Sequence, residues 1–132
     1  ERAEELFDYI VSHVKSNVER AEIQNIRVIL YDNTGKYREA IEIVSEELKT
    51  FGLNLPIDNT EEILSAFEVE LKQYKKNLEK TNVTELVNAP DAIDPEIQAC
   101  MELLANLTGP TYLTNQDLCA LIAIKMVNIS YF

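Results

Sequence analysis

The sequence predicts an all-α fold of about six main helices that form antiparallel helical hairpins. The 132 residues include only 3 Gly and 4 Pro beside many Glu, Leu, Ile and Ala, which favours helices over a sheet with many tight turns. Apolar residues recur at steps of three and four along most of the chain. Between two such segments lies Gly35, the residue type expected where one helix ends and the next turns back.

Two helices are predicted before that elbow. The first covers about Arg2 to Ser16, and its apolar residues form a one-sided stripe that predicts a face turned toward the core. The stripe consists of Ala3, Leu6, Phe7, Ile10, Val11 and Val14. His13 falls outside it, which indicates a surface residue. The second helix covers about Val18 to Asn33, and its apolar residues are Ala21, Ile23, Ile26, Val28, Ile29, Leu30 and Tyr31.

The third helix is predicted from about Lys36 to Phe51. Gly35 before it avoids the roughly 1–2 kcal/mol that a left-handed backbone costs other residues. Tyr37 and Ile41 are four apart and share a face of this helix. Ala40 beside them is small enough to let the partner helix approach closely. We therefore assign structural roles to Gly35, Tyr37 and Ala40.

The fourth helix follows a linker at residues 54–59. Asn59 is expected to cap it, and Glu62 three residues later completes the capping pattern. Its apolar residues follow the three-four spacing of a coiled coil over two heptads. They are Leu64, Phe67, Leu71, Tyr74 and Leu78. We call these five residues the α4 seam.

Two further helices are predicted after a short helical turn at Asn82–Val87. Asp94 followed by Pro95 is a strong start signal for a helix that ends near Gly109. Its inward residues are expected to be Ile97, Cys100, Met101, Leu104 and Leu107. The last helix starts near Asn115, capped by Thr114 or Asn115, and is apolar on nearly all sides, so it needs cover on nearly all sides.

The need to cover the apolar last helix also bears on domain organisation. Either this helix is central in the fold, or further helices follow in a longer protein, and we favour the second alternative. Residues 1–132 are then one helical-repeat domain, with a hairpin region at 1–56 and further helical layers at 57–132.

Charge and cysteine content limit the partners. A net charge of −11 disfavours nucleic acid and anionic membranes, since both bind through Lys and Arg. No apolar run is long enough to span a bilayer, and the first residues do not resemble a signal peptide, so a cytoplasmic location is expected. Cys100 and Cys119 match no metal or redox spacing, and buried free thiols are expected. We expect neither a metal nor a cofactor.

Residues 21–56 resemble a tetratricopeptide repeat, which implies that the antiparallel hairpins stack as an α-α superhelix. The resemblance rests on Ala21, Tyr31, Gly35, Tyr37, Ala40, Ile41 and Leu48. The chain departs from the repeat at Gln24, where Trp is usual, at Glu47, where a small Ala is usual, and in the late position of Pro56. By analogy with such repeats, Asn25, Ile29 and Asp32 would face a concave groove, although the alternative that they only pack or face water stays open.

The order of several segments also resembles a helical region of large bacterial signalling proteins. That family joins a serine/threonine kinase domain and an AAA- or STAND-type ATPase to GAF sensor and histidine kinase modules. The segments include Phe51–Pro56, Met101–Leu107 and Lys125–Asn128. The resemblance implies a helical region that lies between the ATPase and the sensor modules.

These observations predict a non-catalytic scaffold. The sequence contains no phosphate-binding loop and no kinase motif, and its many Glu lie mostly on polar helix faces. We expect it to bind a protein, a peptide or neighbouring domains of the same chain. The alternative is an oligomerisation module that pairs copies of the protein as a homodimer through the apolar last helix or the α4 seam.

Overall fold

The structure, a computed structural model, describes residues 2–80 and 94–131, and all regular secondary structure in these ranges is helical. The helices are α1 (Arg2–His13), α2 (Asn17–Asn33), α3 (Tyr37–Thr50), α4 (Thr60–Lys80), α5 (Pro95–Asn106), α6 (Thr108–Thr114) and α7 (Gln116–Tyr131). The predicted all-α class is confirmed, and the described ranges hold six longer helices and one short helix, α6. Helix α5 ends at Asn106, before the predicted end near Gly109, and Gly109 itself lies within α6. The predicted turn at Asn82–Val87 lies outside the described residues.

Side-chain caps fix where several helices begin. The Asn59 Oδ1 atom accepts the backbone N–H of Glu62, as the capping pattern predicts. Asp94 likewise accepts the N–H of Glu96 at the start of α5. Asn115, one of the two candidates for the cap of the last helix, accepts the N–H of Leu118. These caps satisfy backbone donors that the first turn of a helix leaves unpaired.

Gly35 forms the predicted elbow between α2 and α3. Its φ angle is 78°, in the left-handed region, and its N–H donates to the Asp32 carbonyl. The next N–H, from Lys36, donates to the Tyr31 carbonyl. This pair of hydrogen bonds is the Schellman arrangement, which satisfies carbonyls that the end of the helix leaves free. Gly52, with a φ angle of 83°, ends α3 in the same way.

The core lies between two groups of helices. Helix α2 packs mainly on α3 and α5, whereas α4 packs mainly on α7. The fully buried side chains include Val28, Val44, Leu48, Ile63, Leu103, Leu104, Leu107, Leu118, Leu121 and Ile122. In a regular superhelix the next helix along the chain, α4, would lie beside α2 and α3. Here α5 takes that place, so the tetratricopeptide-like stack is not confirmed.

The predicted core-facing stripe of α1 is wrong in part. Leu6 is 59% exposed and Ile10 is also exposed, while Phe7 and Val11 are half-buried. The reason is that α1 packs on α2, which covers only one side of it. Because the apolar stripe of α1 is wider than the surface that α2 covers, some of its side chains stay exposed to solvent.

Similar differences occur in later helices. In α4 the buried residue is Ile63, and the seam residues Leu64 and Leu78 are exposed. In α5 the predicted inward Ile97 is exposed, and Leu103 is buried in its place. Periodicity alone identifies an apolar stripe, but the position of the neighbouring helix decides which edge of that stripe is covered.

The two cysteines are free thiols, as predicted, but only Cys100 is buried. Cys119 is partly exposed.

Candidate interaction surfaces

The three predicted groove residues do not line one open groove. Asn25 is only 7% exposed, and its Oδ1 atom accepts a hydrogen bond of 2.8 Å from the Asn106 side chain on α5. Asp32 is half-buried, with its carboxylate beside Gly109 at the start of α6. Ile29 is 48% exposed. The open-groove prediction is therefore wrong for Asn25, because α5 of the same chain covers it.

The residues assigned structural roles occupy the expected positions. Gly35 is exposed at the elbow, where its left-handed backbone closes α2. Ala40 is completely buried and Tyr37 is half-buried on α3, which packs closely on α2. A side chain larger than Ala at residue 40 would separate the two helices.

The two main departures from the tetratricopeptide pattern contact each other. The Gln24 Nε2 atom donates to the Glu47 carboxylate at 3.3 Å, and both residues are buried. The Arg20 Nε atom lies 3.1 Å from the same carboxylate and balances its charge. Tetratricopeptide repeats usually have Trp and Ala at these two positions, whereas this chain has two polar side chains of intermediate size. Sequence alone showed both departures, but not that they form a pair.

A polar cluster attaches α1 to α2. The Tyr31 hydroxyl donates a hydrogen bond of 2.6 Å to the Glu4 carboxylate, and the Arg27 guanidinium lies 3.0 Å from Asp8. The hydrogen bond from Tyr31 lowers the pKa of Glu4. Burial, followed by the hydrogen bond to Glu4, raises the pKa of Tyr31. Arg27 also lies over the ring of Phe7, 5.8 Å from its centroid, so it binds both a charge and an aromatic face.

The first candidate surface is the outer side of α1 and α2. On each helix, three large apolar residues with the spacing i, i+3, i+4 are exposed. We define the hairpin face as these six residues, Leu6, Tyr9, Ile10, Ile26, Ile29 and Leu30. At one end the Tyr9 ring lies against His13, which is exposed as predicted, with ring centroids 4.2 Å apart. Residues at this spacing lie on one side of their helix, so each set of three can contact a partner together.

The second candidate surface is a cleft of about 350 Å³ between α4 and α7. Its lining residues, which we define as the α4–α7 face, are Phe67, Leu71, Tyr74, Ala120, Ala123, Ile124 and Val127. Beside the cleft, Glu70 joins the two helices through contacts of 3.0 Å with Lys125 and 2.7 Å with the Asn128 amide. Helix α4 thus covers one side of the apolar last helix, while Ala120 and Ala123 are exposed.

A third cleft, of about 370 Å³, contains the Cys100 side chain. Phe51, Leu53, Glu96, Ile97, Asn128 and Ile129 complete its lining. Burial, with the nearby Glu96 charge, raises the pKa of the Cys100 thiol. A raised pKa disfavours the thiolate, which is the nucleophilic form of cysteine.

Residues 2–80 and 94–131 contain no group of three or more His, Cys, Asp or Glu that could hold a metal ion. In the same ranges, every helix is too short or too polar to cross a membrane.

Comparison with protein-family models, curated proteins and solved structures finds no match. The class of protein is therefore defined by the fold and the surfaces alone. Over the described residues it is an all-α protein with exposed apolar side chains on α1 and α2 and an apolar cleft between α4 and α7. The resemblances to tetratricopeptide repeats and to bacterial signalling proteins stay predictions.

Proposed function

We propose that this chain is a non-catalytic helical scaffold for protein–protein or interdomain contacts within a cytoplasmic signal-transduction kinase or ATPase. The observation that carries the proposal is the hairpin face. Large apolar side chains exposed together on neighbouring helices are typical of surfaces that bind a partner. The signalling context rests on the sequence resemblance.

The composition of the surface suggests which partner it fits. Glu5 lies on α1, and Glu19 and Glu22 lie on α2 close in sequence to the hairpin face, and all three are exposed. An amphipathic helix with an apolar stripe and basic flanks would match both the apolar and the acidic groups. The net charge of −11 would increase the rate at which such a basic segment associates.

Selection from a displayed library of amphipathic peptides on the immobilised chain tests the proposal. We expect selected peptides to be enriched in Lys and Arg and to bind with micromolar Kd. Ile26→Glu should raise that Kd about tenfold or more, because it places a charge within the apolar contact. Val69→Glu is the matched control, since Val69 on α4 is also exposed, at 65%.

Two results would contradict the proposal. One is binding that does not change in Ile26→Glu, and the other is an equal loss of binding in Val69→Glu. Melting temperatures close to that of the unmodified chain would show that both variants are folded.

A second candidate function is pairing of two copies through the apolar last helix. The observation that favours it is the α4–α7 face, where Ala120 and Ala123 leave α7 open on one side. An apolar cleft between two helices is a common site for a further helix.

A further inference from the structure

We infer that the α4–α7 face binds the same face of a second copy, with the two α4 helices antiparallel about a two-fold axis between Lys72 and Gln73. This inference rests on the second proposed function and specifies its geometry. Three features of the described residues carry it. They are the symmetry of the α4 seam, the charges along its open edge, and the position of α7.

Four of the five seam residues pair with one another in this register. Phe67 and Leu78 lie at equal distances on either side of the axis, and so do Leu71 and Tyr74. Each pair therefore occurs twice, which gives four apolar layers across the interface. Leu78 is 44% exposed in the single chain, so pairing would remove apolar surface from water.

The charges beside the seam favour the antiparallel direction. Glu68 and Lys75 are exposed and lie seven residues apart on the same edge of α4. In the antiparallel pairing this edge meets the same edge of the second copy, and Glu68 lies close to the partner's Lys75. The two-fold axis repeats the pair, so two opposite-charge contacts form.

The position of α7 excludes the parallel direction. A parallel pair would bring the Lys75 edge of one α4 onto the Glu70 edge of the other. Glu70 is already bound to Lys125 and Asn128, and α7 covers that edge. In the antiparallel pair, the two α4 edges that α7 covers lie on the same side of the interface. The two α7 helices, one from each copy, therefore lie next to each other.

The result is a four-helix bundle made from α4 and α7 of two copies. Ala120 and Ala123 are exposed on α7, and small side chains let two helices approach closely. The cleft of about 350 Å³ between α4 and α7 would face the centre of this bundle. The pairing therefore accounts for the apolar lining of the cleft and the open side of α7.

Sedimentation velocity over a series of protein concentrations, with charge-exchange variants, tests the inference. The unmodified chain should form a dimer. Glu68→Lys and Lys75→Glu should each raise the dimer Kd about tenfold, because each places like charges together twice. The double variant Glu68→Lys/Lys75→Glu keeps the net charge and restores both contacts, so its Kd should return to within about threefold of the original.

Two matched controls separate this interface from general effects. Lys76→Glu makes the same change of charge as Lys75→Glu but on an exposed residue away from the seam, and it should leave the Kd unchanged. Leu78→Arg should abolish the dimer, whereas Val69→Arg, on the opposite side of α4, should not.

The outcomes distinguish the inference from the function on which it rests. A chain that stays monomeric up to about 200 µM overturns both. A dimer that is indifferent to both charge reversals, or that Val69→Arg disrupts, overturns this interface while leaving self-association standing. Binding of amphipathic peptides to the hairpin face is independent of either result.

Discussion

At the scale of single residues, the pair formed by Gln24 and Glu47 links the sequence to the packing of α2 on α3. Both side chains are buried, and Arg20 supplies the charge that keeps the Glu47 carboxylate compensated. The Gln24 Oε1 atom is buried and accepts no hydrogen bond from the described residues. The contact therefore places a polar side chain of α2 opposite a polar side chain of α3, although one of their buried polar atoms lacks a hydrogen bond within the described residues.

A double-mutant cycle tests whether this pair replaces an apolar one. Glu47→Ala should destabilise the chain by about 1–3 kcal/mol, because it leaves Arg20 and Gln24 without their acceptor. Gln24→Trp alone should cost a similar amount, about 1–3 kcal/mol, through overpacking against Glu47. In the double variant the Trp can occupy the space above Ala, so the summed cost should fall by about 1 kcal/mol or more. Urea denaturation measures each free energy of unfolding.

The control for this cycle uses a neighbouring exposed carboxylate. Glu46 lies next to Glu47 on α3 but pairs with Lys49 at the surface. Gln24→Trp combined with Glu46→Ala should give costs that add. Additive costs for Glu47→Ala as well would argue against a paired replacement.

Local signals in the sequence predicted the end of α2 and the starts of α4 and α5, but not the break between α5 and α6. Gly35, Asn59 and Asp94 act on backbone groups within a few residues, so their roles follow from the residue type and its immediate neighbours. The burial of Asn25 could not be predicted in the same way. It depends on Asn106, 81 residues further along the chain. The tetratricopeptide analogy placed Asn25 in a groove, since it assumed that successive hairpins stack in order.

At the scale of helices, α1 is attached to α2 by a polar cluster and a half-buried stripe. The Glu4–Tyr31 hydrogen bond depends on an ionised carboxylate and a neutral phenol. The pKa of Glu4 is lowered below 4.5. The stabilisation from ionised Glu4 is therefore present above pH 4.5, and it is lost as pH falls through the folded-state pKa. The pKa of Tyr31 is raised above 10.0. The stabilisation from the neutral Tyr31 hydroxyl is therefore present below pH 10.0, and it is lost as pH rises through the folded-state pKa.

The pH dependence of Tyr31→Phe tests this attachment. The variant should be less stable than the unmodified chain at neutral pH, because it removes the donor to Glu4. The difference should narrow as pH falls below 4.5 and through the lowered folded-state pKa of Glu4, since Glu4 then carries a proton in both proteins. Urea denaturation at a series of pH values measures it. Tyr9→Phe is the control, and a difference for Tyr31→Phe that stays constant with pH would contradict the assignment.

At the scale of the whole molecule, the net charge of −11 means that negative side chains repel one another across the chain. Several carboxylates are paired, as in the Arg38–Glu42 and Lys49–Glu46 contacts, but these pairs are exposed. Exposed pairs contribute little to stability, whereas repulsion among many like charges adds up. We infer that repulsion outweighs attraction in the folded chain at low ionic strength.

The stability of the chain should therefore rise with salt. Between about 0.05 and 0.5 M NaCl the screening length shortens severalfold, and we expect the free energy of unfolding in urea to increase by about 1 kcal/mol. The variant Glu22→Gln/Glu39→Gln removes two exposed negative charges. It should be more stable at low salt and respond less to added salt. A decrease in stability with salt would show that the ion pairs dominate instead.

The contact between Asn25 and Asn106 has a consequence for the kinetics of folding. In an array of stacked repeats each unit contacts its neighbours, so folding can begin anywhere and spread along the chain. Here α2 meets α5 across 81 residues, and Glu70 meets Asn128 across 58. Such distant segments lose entropy when they are brought together, before their contacts compensate. The α2–α3 hairpin can therefore form early, while the pairings of α2 with α5 and of α4 with α7 set the refolding rate.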